Sequence, residues 1–342
     1  MKIACLAWAP LAHRMDELAG AVNGKRVNLT VLYGPRYFAP VRYVVLFLWT
    51  LLLLARENPD VVYAQNPPVF CPLSSLLYCR AVGKKLVIDH HSIWVVKTLG
   101  GDFVSRAIGF LERFVSAAAF ANTAPHAVWA RMLYQLGAKR VELIHDYVTK
   151  NPYTRDESIR ERYSDGRVLV IASHGGHPLE MVENEIHAAG MVPAITLVIT
   201  GPEEKLRGRL SRMDLPKNVR YLGLLPIKEY LQLKASCDLA LNITEEPYTL
   251  SHVLFEYAAS SLPVLSSRQE VVEDVFGDSL LYVKGSRPEQ VAERLVTLSR
   301  DPSRLRLLRG GISSKYREFT AVREEELEAL RALITDPEPK NG

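Results

Sequence analysis

Glu245-Glu246-Pro247-Tyr248-Thr249-Leu250-Ser251-His252-Val253-Leu254-Phe255-Glu256, running on through Tyr257-Ala258-Ala259-Ser260-Ser261-Leu262 to Pro263-Val264-Leu265, decides how the rest of this 342-residue chain is read. Its middle has the composition of a buried helix, yet Glu256 stands among Val253, Leu254, Phe255 and Ala258. A carboxylate in such surroundings is costly unless something partners it. The stretch follows a short apolar run, Leu239-Ala-Leu-Asn242, and ends on another, so it reads as strand, turn-rich loop, helix, strand. A helix beginning near Thr249 or Ser251 would turn the backbone N–H groups of Leu250 to Val253, His252 among them, toward an anion such as a diphosphate. Glu256, one to two turns further in, is placed to accept hydrogen bonds from two vicinal hydroxyls of a ribose. The alternative is a structural acid, capped by neighbouring backbone or paired with Arg268.

The same grammar extends in both directions. Short apolar strands alternate with helical patterns, which predicts parallel sheets with crossover helices. The first half reads as strands near 2–8, 27–32, 61–64, 85–89, 118–122 and 141–144, with helices near 14–22, 41–57, 69–82, 103–117 and 125–137. The second half restarts with strands at 168–172, 195–199, 219–222, 239–242, 263–265 and 280–283. Between the halves, residues 151–166 are polar and aperiodic, as a linker would be. The division is therefore 1–150, linker 151–166, 167–322, and a C-terminal amphipathic helix and tail over 323–342. The fold class expected is α/β, two doubly wound Rossmann-like domains facing across a cleft, with ligands outside the carboxyl edges of the strands.

Composition excludes little but directs attention. Residues 1–150 carry 17 Lys/Arg against 9 Asp/Glu, a balance of +8, while the remaining 25 against 29 give −4. A basic first half suits an anionic partner: nucleic acid, phospholipid or phosphorylated substrate. Four cysteines form no CxxC pair and sit in apolar settings, which fits reduced core residues rather than a zinc site. No signal-peptide pattern opens the chain. The longest apolar run, Tyr43 to Ala55, is thirteen residues and flanked by Arg42 and Arg56. It is too short to span a bilayer, and reads either as a core helix or as one lying at a membrane surface.

Polar clusters fall where strands end. After 61–64 come Gln65 and Asn66 with Pro67-Pro68, a helix entrance. After 85–89 come Asp89-His90-His91, a base or orienting donor rather than a metal site, which would need a third ligand nearby. His13 and Arg14 open the first helix. Ser173-His174-Gly175-Gly176 follows the strand 168–172, and paired glycines allow close backbone approach to a ligand. It is neither a Walker loop nor a dinucleotide fingerprint. Lys205 and Arg207 follow Thr200-Gly-Pro202, where either can reach a phosphate or simply be solvated. Leu224, in Leu222-Gly-Leu-Leu-Pro226, offers an apolar turn against which a flat base can slot.

In this order and spacing the motifs resemble the GT-B glycosyltransferases, family 4 in particular, over nearly the whole chain. The most specific part is Leu254-Phe-Glu-Tyr-Ala-Ala-Ser-Ser-Leu-Pro-Val264, supported by Thr200-Gly-Pro202, Val219-Arg-Tyr-Leu-Gly223, Ala235-Ser-Cys-Asp-Leu-Ala240, Arg287-Pro-Glu-Gln-Val-Ala292 and Arg300-Asp-Pro302. The resemblance implies a donor nucleotide sugar in the C-terminal domain with Glu256 on the ribose, and an acceptor in the N-terminal domain. Tyr248 stands where many members have a first glutamate, eight positions before the second, so the retaining mechanism tied to that pair is not implied. Val61 to Pro68 and Leu86 to His91 are similar to segments of the chitobiosyl-diphosphodolichol β-mannosyltransferases, which invert and act on lipid-linked sugars.

The expected function is transfer of a sugar from a nucleotide-diphosphate sugar to a lipid-linked or growing-glycan acceptor at the inner face of the membrane. Inversion needs a base, for which Asp89, His91 and Glu246 are candidates. Gly175, Gly176, Lys205, Arg207, Leu224, Thr249, Leu250, Ser251, His252 and Glu256 are the candidate donor residues. His13, Arg14, Gln65, Asn66 and His90 are those for the acceptor. The absence of Asp-x-Asp predicts no metal and no other cofactor, and nothing reads nucleic-acid bases. Two alternatives keep the fold: a nucleotide-sugar epimerase or hydrolase, and a non-catalytic nucleotide-sugar-binding partner.

Overall fold

A computed structural model describes residues 1–9, 12–31, 38–91, 103–146, 149–177, 179–245 and 248–335. The chain forms two units, Met1–Asp146 with Ala321–Gly342, and Tyr147–Thr320. Each is built on a parallel six-stranded sheet.

In the first unit β1 (Ile3–Ala7), β2 (Lys25–Asn28), β3 (Val61–Asn66), β4 (Lys85–His90), β5 (Ala121–Ala124) and β6 (Val141–Leu143) lie in the order β2-β1-β3-β4-β5-β6. The inner strands β1, β3 and β4 are largely apolar because both sheet faces are covered there. Helices α2 (Ala39–Glu57), α3 (Phe70–Val82) and α4 (Phe103–Ala118) bury Leu46, Leu54, Cys71, Leu76 and Val115 against Leu6, Val62, Leu86 and Ile88 on one face. The other face takes α1 (His13–Ala21), through Met15 and Leu18, and the end of the last helix, through Leu330 and Leu333. Helix α5 (Ala127–Gln135) connects β5 to β6, and His126 Nδ1 at its N-cap accepts from the Trp129 N–H at 3.3 Å.

In the second unit the order is β12-β11-β10-β7-β8-β9. Counted from β7 as first strand, that is the dinucleotide-fold order, which reverses between β7 and β10. Its strands are β7 (Val168–Ser173), β8 (Ile195–Thr200), β9 (Val219–Gly223), β10 (Leu239–Asn242), β11 (Val264–Ser267) and β12 (Leu281–Val283). Its helices are α6 (Glu157–Ser164), α7 (Val182–Gly190), α8 (Glu203–Leu210), α9 (Ile227–Ser236), α10 (His252–Ala259), α11 (Glu270–Phe276) and α12 (Pro288–Ser299). The core is Val170, Ile186, Leu197, Leu241 and Val291 with their neighbours.

Three expectations are corrected. Residues 151–166 contain α6, whose N-cap Asp156 accepts from the Ser158 N–H at 2.9 Å. Its Arg160 pairs with Asp238, and Asn151 donates to the Leu231 carbonyl, so the polar segment is part of the second unit. The last helix, α13, runs unbroken over Pro302–Thr335 rather than starting at 323. Strand β5 starts at Ala121, because α4 continues to Ala118.

The apolar run at 43–55 belongs to the 19-residue α2. Length and composition alone would let that helix cross a membrane. Its Leu46, Thr50 and Leu54 are wholly buried, however, while Val41, Val44, Leu48, Trp49 and Leu52 remain exposed. One side of the helix is thus core, as the first reading expected, and the other is exposed.

Candidate functional site

The reversal point of the second sheet places the loops after β7 and β10 side by side. Two adjoining cavities open there and share Ser173 and His174 in their walls. One runs past His177, Glu180, Thr244, Thr249 and Ser251. The other runs past Gly175, Gly223, Leu224, Tyr230, Val253 and Glu256.

Glu256 is a quarter exposed at its side chain. Its Oε2 accepts from Tyr230 Oη at 2.8 Å and from Lys234 Nζ at 2.7 Å, and its Oε1 lies 3.7 Å from His252 Nδ1. Burial alone would raise the carboxyl, but His252, Lys234 and Tyr230 outweigh it and bring it down to about 2. Lys234 is almost wholly buried, its ammonium 4.1 Å over the Tyr230 ring. Burial lowers its pKa despite the neighbouring Glu256. A carboxylate offers about four acceptor positions, so Glu256 keeps capacity for hydroxyls of a ligand while held by two donors. The structural alternative through Arg268 does not arise, because Arg268 pairs with Glu273.

Lys234 and Tyr230 are not legible as site residues from composition alone. A usable signal was the spacing Tyr230-x-x-x-Lys234, which sets both on one face of α9.

Helix α10 begins at His252 with Ser251 as N-cap, and no side chain caps it. Thr249 and Ser251 line the cavity in front of it. Leu250 lies between them, partly buried. The exposed Leu224 stands on the rim of the second cavity after β9, where the apolar turn was expected.

The glycine loop differs from its expected use. The N–H groups of Gly175, Gly176 and His177 donate to the Glu180 carboxylate at 2.9, 2.9 and 3.0 Å. Gly176 has φ +79°, and a Cβ there would meet Lys205 Cβ at 2.4 Å. The room that glycine provides is filled by Lys205, whose Nζ donates to the Gly175 carbonyl at 3.2 Å. Arg207 is exposed and pairs with Glu203, outside both cavity walls. Glu246 lies outside the described residues.

Beneath the loop, buried His174 is flanked by two acids, with Nε2 2.7 Å from Glu185 and Nδ1 3.5 Å from Glu180. Burial opposes its charge, yet Glu185 and Glu180 prevail and hold its pKa up at about 9. A folded-state value above the ordinary 6.5 means that the native state binds the proton more tightly. The stabilisation is complete below about pH 6.5 and is lost as pH rises through 9, on the order of 3 kcal/mol in all. The melting temperature is therefore expected to fall between pH 7 and 9.5. His174→Gln should melt lower at pH 7 and show a flatter profile. A wild-type profile that is level across that range would contradict the charged assignment.

In the first unit, alternation along β4 sends Asp89 and His90 to opposite sheet faces. Asp89 is wholly buried and takes a two-pronged contact from Arg14 at 3.0–3.1 Å, plus Thr123 Oγ1 at 2.8 Å. Arg14 also reaches Asp146 at 2.9 Å and the Ile144 carbonyl at 2.8 Å. Tyr63 Oη, 2.9 Å from Thr123 Oγ1, completes an internal network. A carboxylate so engaged has no reach to a substrate proton, and Arg14 is likewise consumed inside the fold. Both are corrected from catalytic and acceptor-binding candidates to structural groups.

On the opposite face, Asn122 Nδ2 donates to the Ser116 carbonyl at 3.0 Å, so its Oδ1 accepts from His90 Nε2 at 2.9 Å. His90 Nδ1 then accepts from Asn66 Nδ2 at 3.3 Å, and the same amide donates to Glu112 Oε2 at 2.7 Å. Burial, against the pull of Asn122, lowers His90 to about 4 and leaves it neutral. Gln65 is buried on β3, whereas His13 and His91 are exposed at the start of α1 and the end of β4. Of the expected base candidates, His91 is the described residue open to solvent.

Among the described residues no group of three His, Cys, Asp or Glu side chains gathers to hold a metal ion.

A family model described as "Glycosyl transferase-like" matches residues 183–323. No curated protein sequence matches the chain. Solved structures match it nearly end to end. Sucrose-phosphate synthase from Thermosynechococcus elongatus is 14% identical with a TM-score of 0.81, covering 98% of this chain and 100% of that one. Anabaena Alr3699/HepE in complex with UDP-glucose is 14% identical at 0.73, covering 97% and 100%. MnaA from S. aureus, with UDP, is 14% identical at 0.66, covering 99% of each. These likenesses show the fold: two α/β units of GT-B glycosyltransferase type.

Proposed function

We propose that this chain, with its GT-B fold, transfers a sugar from a nucleoside-diphosphate sugar to a lipid-linked or growing-glycan acceptor at a membrane surface, without a metal. The observation that carries the donor half is Glu256, anchored by Lys234 and Tyr230 in the wall of the reversal-point cavity. The ribose hydroxyls bind Glu256, the diphosphate meets the uncapped start of α10, and the base lies against Leu224. Uridine is the base favoured, since HepE and MnaA are both described with UDP. Electrostatic aid to the leaving diphosphate falls to the helix start, since neither Lys205 nor Arg207 lines either cavity. His91 is the candidate that deprotonates an acceptor hydroxyl, with inversion at the sugar.

Support for the membrane comes from the outer side of the α2–α3–α4 layer. Val44, Leu48, Trp49 and Leu52 on α2 and Phe103, Val104 and Phe110 on α4 are exposed. Arg42, Arg56, Arg80, Arg106 and Arg113 are interspersed with them in sequence. Apolar residues mixed with arginines fit an anionic bilayer surface. They support an acceptor carried on a lipid, as does the likeness of segments 61–68 and 86–91 to enzymes acting on lipid-linked sugars.

The test is transfer of labelled sugar from UDP-sugars and GDP-sugars to lipids in anionic vesicles, with EDTA present. Label should enter the lipid fraction, the protein should float with the vesicles, and Leu48→Glu with Leu52→Glu should prevent both. His91→Ala should cut transfer at least tenfold with donor affinity unchanged. Conversion of free UDP-sugar to its epimer, with no lipid labelled, would favour the epimerase reading instead.

A further inference from the structure

A further cavity lies within the second unit and shares no wall residue with the two described above. It is lined by residues 150–155 ahead of α6, by Ala235 near the end of α9, by residues 259–261 at the end of α10, and by Arg309 of α13. Its volume is about 500 Å³, the size of a small-molecule site. Three cations, Lys150, Arg155 and Arg309, stand in its wall, and among the described residues no carboxylate does.

The three are not equally neutralised. Arg155 pairs with Asp238 at 2.8 Å and with Glu157 at 2.5 Å. Asp238 also holds Arg160 at 3.0 Å, so its charge is already shared. Arg309 is half-buried and donates one N–H to the Cys237 carbonyl at 2.9 Å, with no ion-pair partner among the described residues. Burial and the neighbouring Arg155 lower its pKa against the pull of Asp238. Lys150 is exposed and likewise unpaired among the described residues. Two uncompensated charges therefore face one cavity, and a phosphate monoester carries about −1.5 to −2 at neutral pH. The half-charges at the ends of α9 and α10 act against an anion, but they fall off within a turn, whereas a guanidinium and an ammonium can contact it directly. The hydroxyls of Thr154 and Ser261 make no hydrogen bond among the described residues and leave polar groups for the rest of such a ligand.

We propose that this cavity binds a small phosphate monoester of a polyol, with its phosphate between Lys150 and Arg309 and its hydroxyls on Thr154 and Ser261. The inference goes beyond the donor reading and does not rest on it. The site is separate from the donor cavities but built on the same two helices. Ala235 follows Lys234 in α9, and the Ser260 hydroxyl, in the cavity wall, donates to the Glu256 carbonyl at 2.9 Å.

The full chain is titrated by calorimetry at neutral pH, without donor, with glycerol 2-phosphate, inorganic phosphate, dimethyl phosphate and glycerol. Glycerol 2-phosphate should bind saturably, and the monoanion dimethyl phosphate and uncharged glycerol at least tenfold more weakly. Lys150→Ala removes an exposed, unpaired side chain, so the fold should stand while glycerol 2-phosphate binds at least tenfold more weakly. Arg309→Gln, which keeps a donor for the Cys237 carbonyl, should have the same effect. No binding of glycerol 2-phosphate at millimolar concentration, equal binding of dimethyl phosphate, or wild-type affinity in Lys150→Ala would each overturn the proposal. Inorganic phosphate bound as tightly as glycerol 2-phosphate would overturn the monoester assignment and make free phosphate the ligand.

Discussion

Glu256→Gln is expected to lower affinity for a nucleotide sugar by roughly a hundredfold. Two hydroxyl-to-carboxylate hydrogen bonds of about 2.5 kcal/mol each become neutral ones of about 1 kcal/mol, a loss of about 3 kcal/mol in all, and 1.4 kcal/mol is a factor of ten. The same change leaves Lys234 buried with the Tyr230 hydroxyl and an amide for company. Removing one partner of a buried pair costs about 3–5 kcal/mol. The lower end applies here, because Glu256 is a quarter exposed and because Lys234, already depressed by burial, can shed its proton. Lower affinity could then come from a loosened domain. The double variant Glu256→Gln with Lys234→Met separates the two causes: it should recover the melting temperature and stay deficient in binding. Recovery of both would make Glu256 a structural acid, and the ribose would have to be held elsewhere.

Asp89→Asn is expected to lower the melting temperature of the first unit by about 10 °C while leaving donor affinity in the second unit unchanged. Arg14 is 8% exposed and bound to Asp89, Asp146 and the Ile144 carbonyl. Neutralising Asp89 strands half of its charge compensation inside the protein, a loss of about 3–5 kcal/mol. At 2–4 °C per kcal/mol for a unit of this size, that is about 10 °C in thermal denaturation followed by circular dichroism. If Asp89 were instead the base, the asparagine variant would melt like the wild type and fail to transfer sugar.

That contrast shows where reading the sequence succeeds and where it stops. Strand and helix alternation is a local signal, and apolar runs such as Val168 to Ala172 and Ile195 to Ile199 mark sheet strands without knowledge of their neighbours. The position of Glu256 on a helix after a strand was legible for the same reason. Partnership is not local. Arg14 and Asp89 are 75 residues apart, Tyr230 and Glu256 are 26 apart, and only the sheet order brings them together. Asp89 and His90 look like one reactive cluster in the sequence, although the strand's alternation sends them to opposite faces. Glycines 175 and 176 read as space for a ligand because sequence shows small side chains and hides what fills the space, here Lys205 and the Glu180 carboxylate. The linker over 151–166 failed on polarity: α6 is short, capped by Asp156 and held by ion pairs, so it carries little apolar periodicity.

The most direct test of the central claim is calorimetric titration of the full chain with UDP, UDP-glucose and GDP in the presence of EDTA. Saturable binding of at least one of these is expected without metal, abolished in the stable double variant Glu256→Gln with Lys234→Met. No binding of any of them at millimolar concentration, or undiminished binding in that variant, would contradict it.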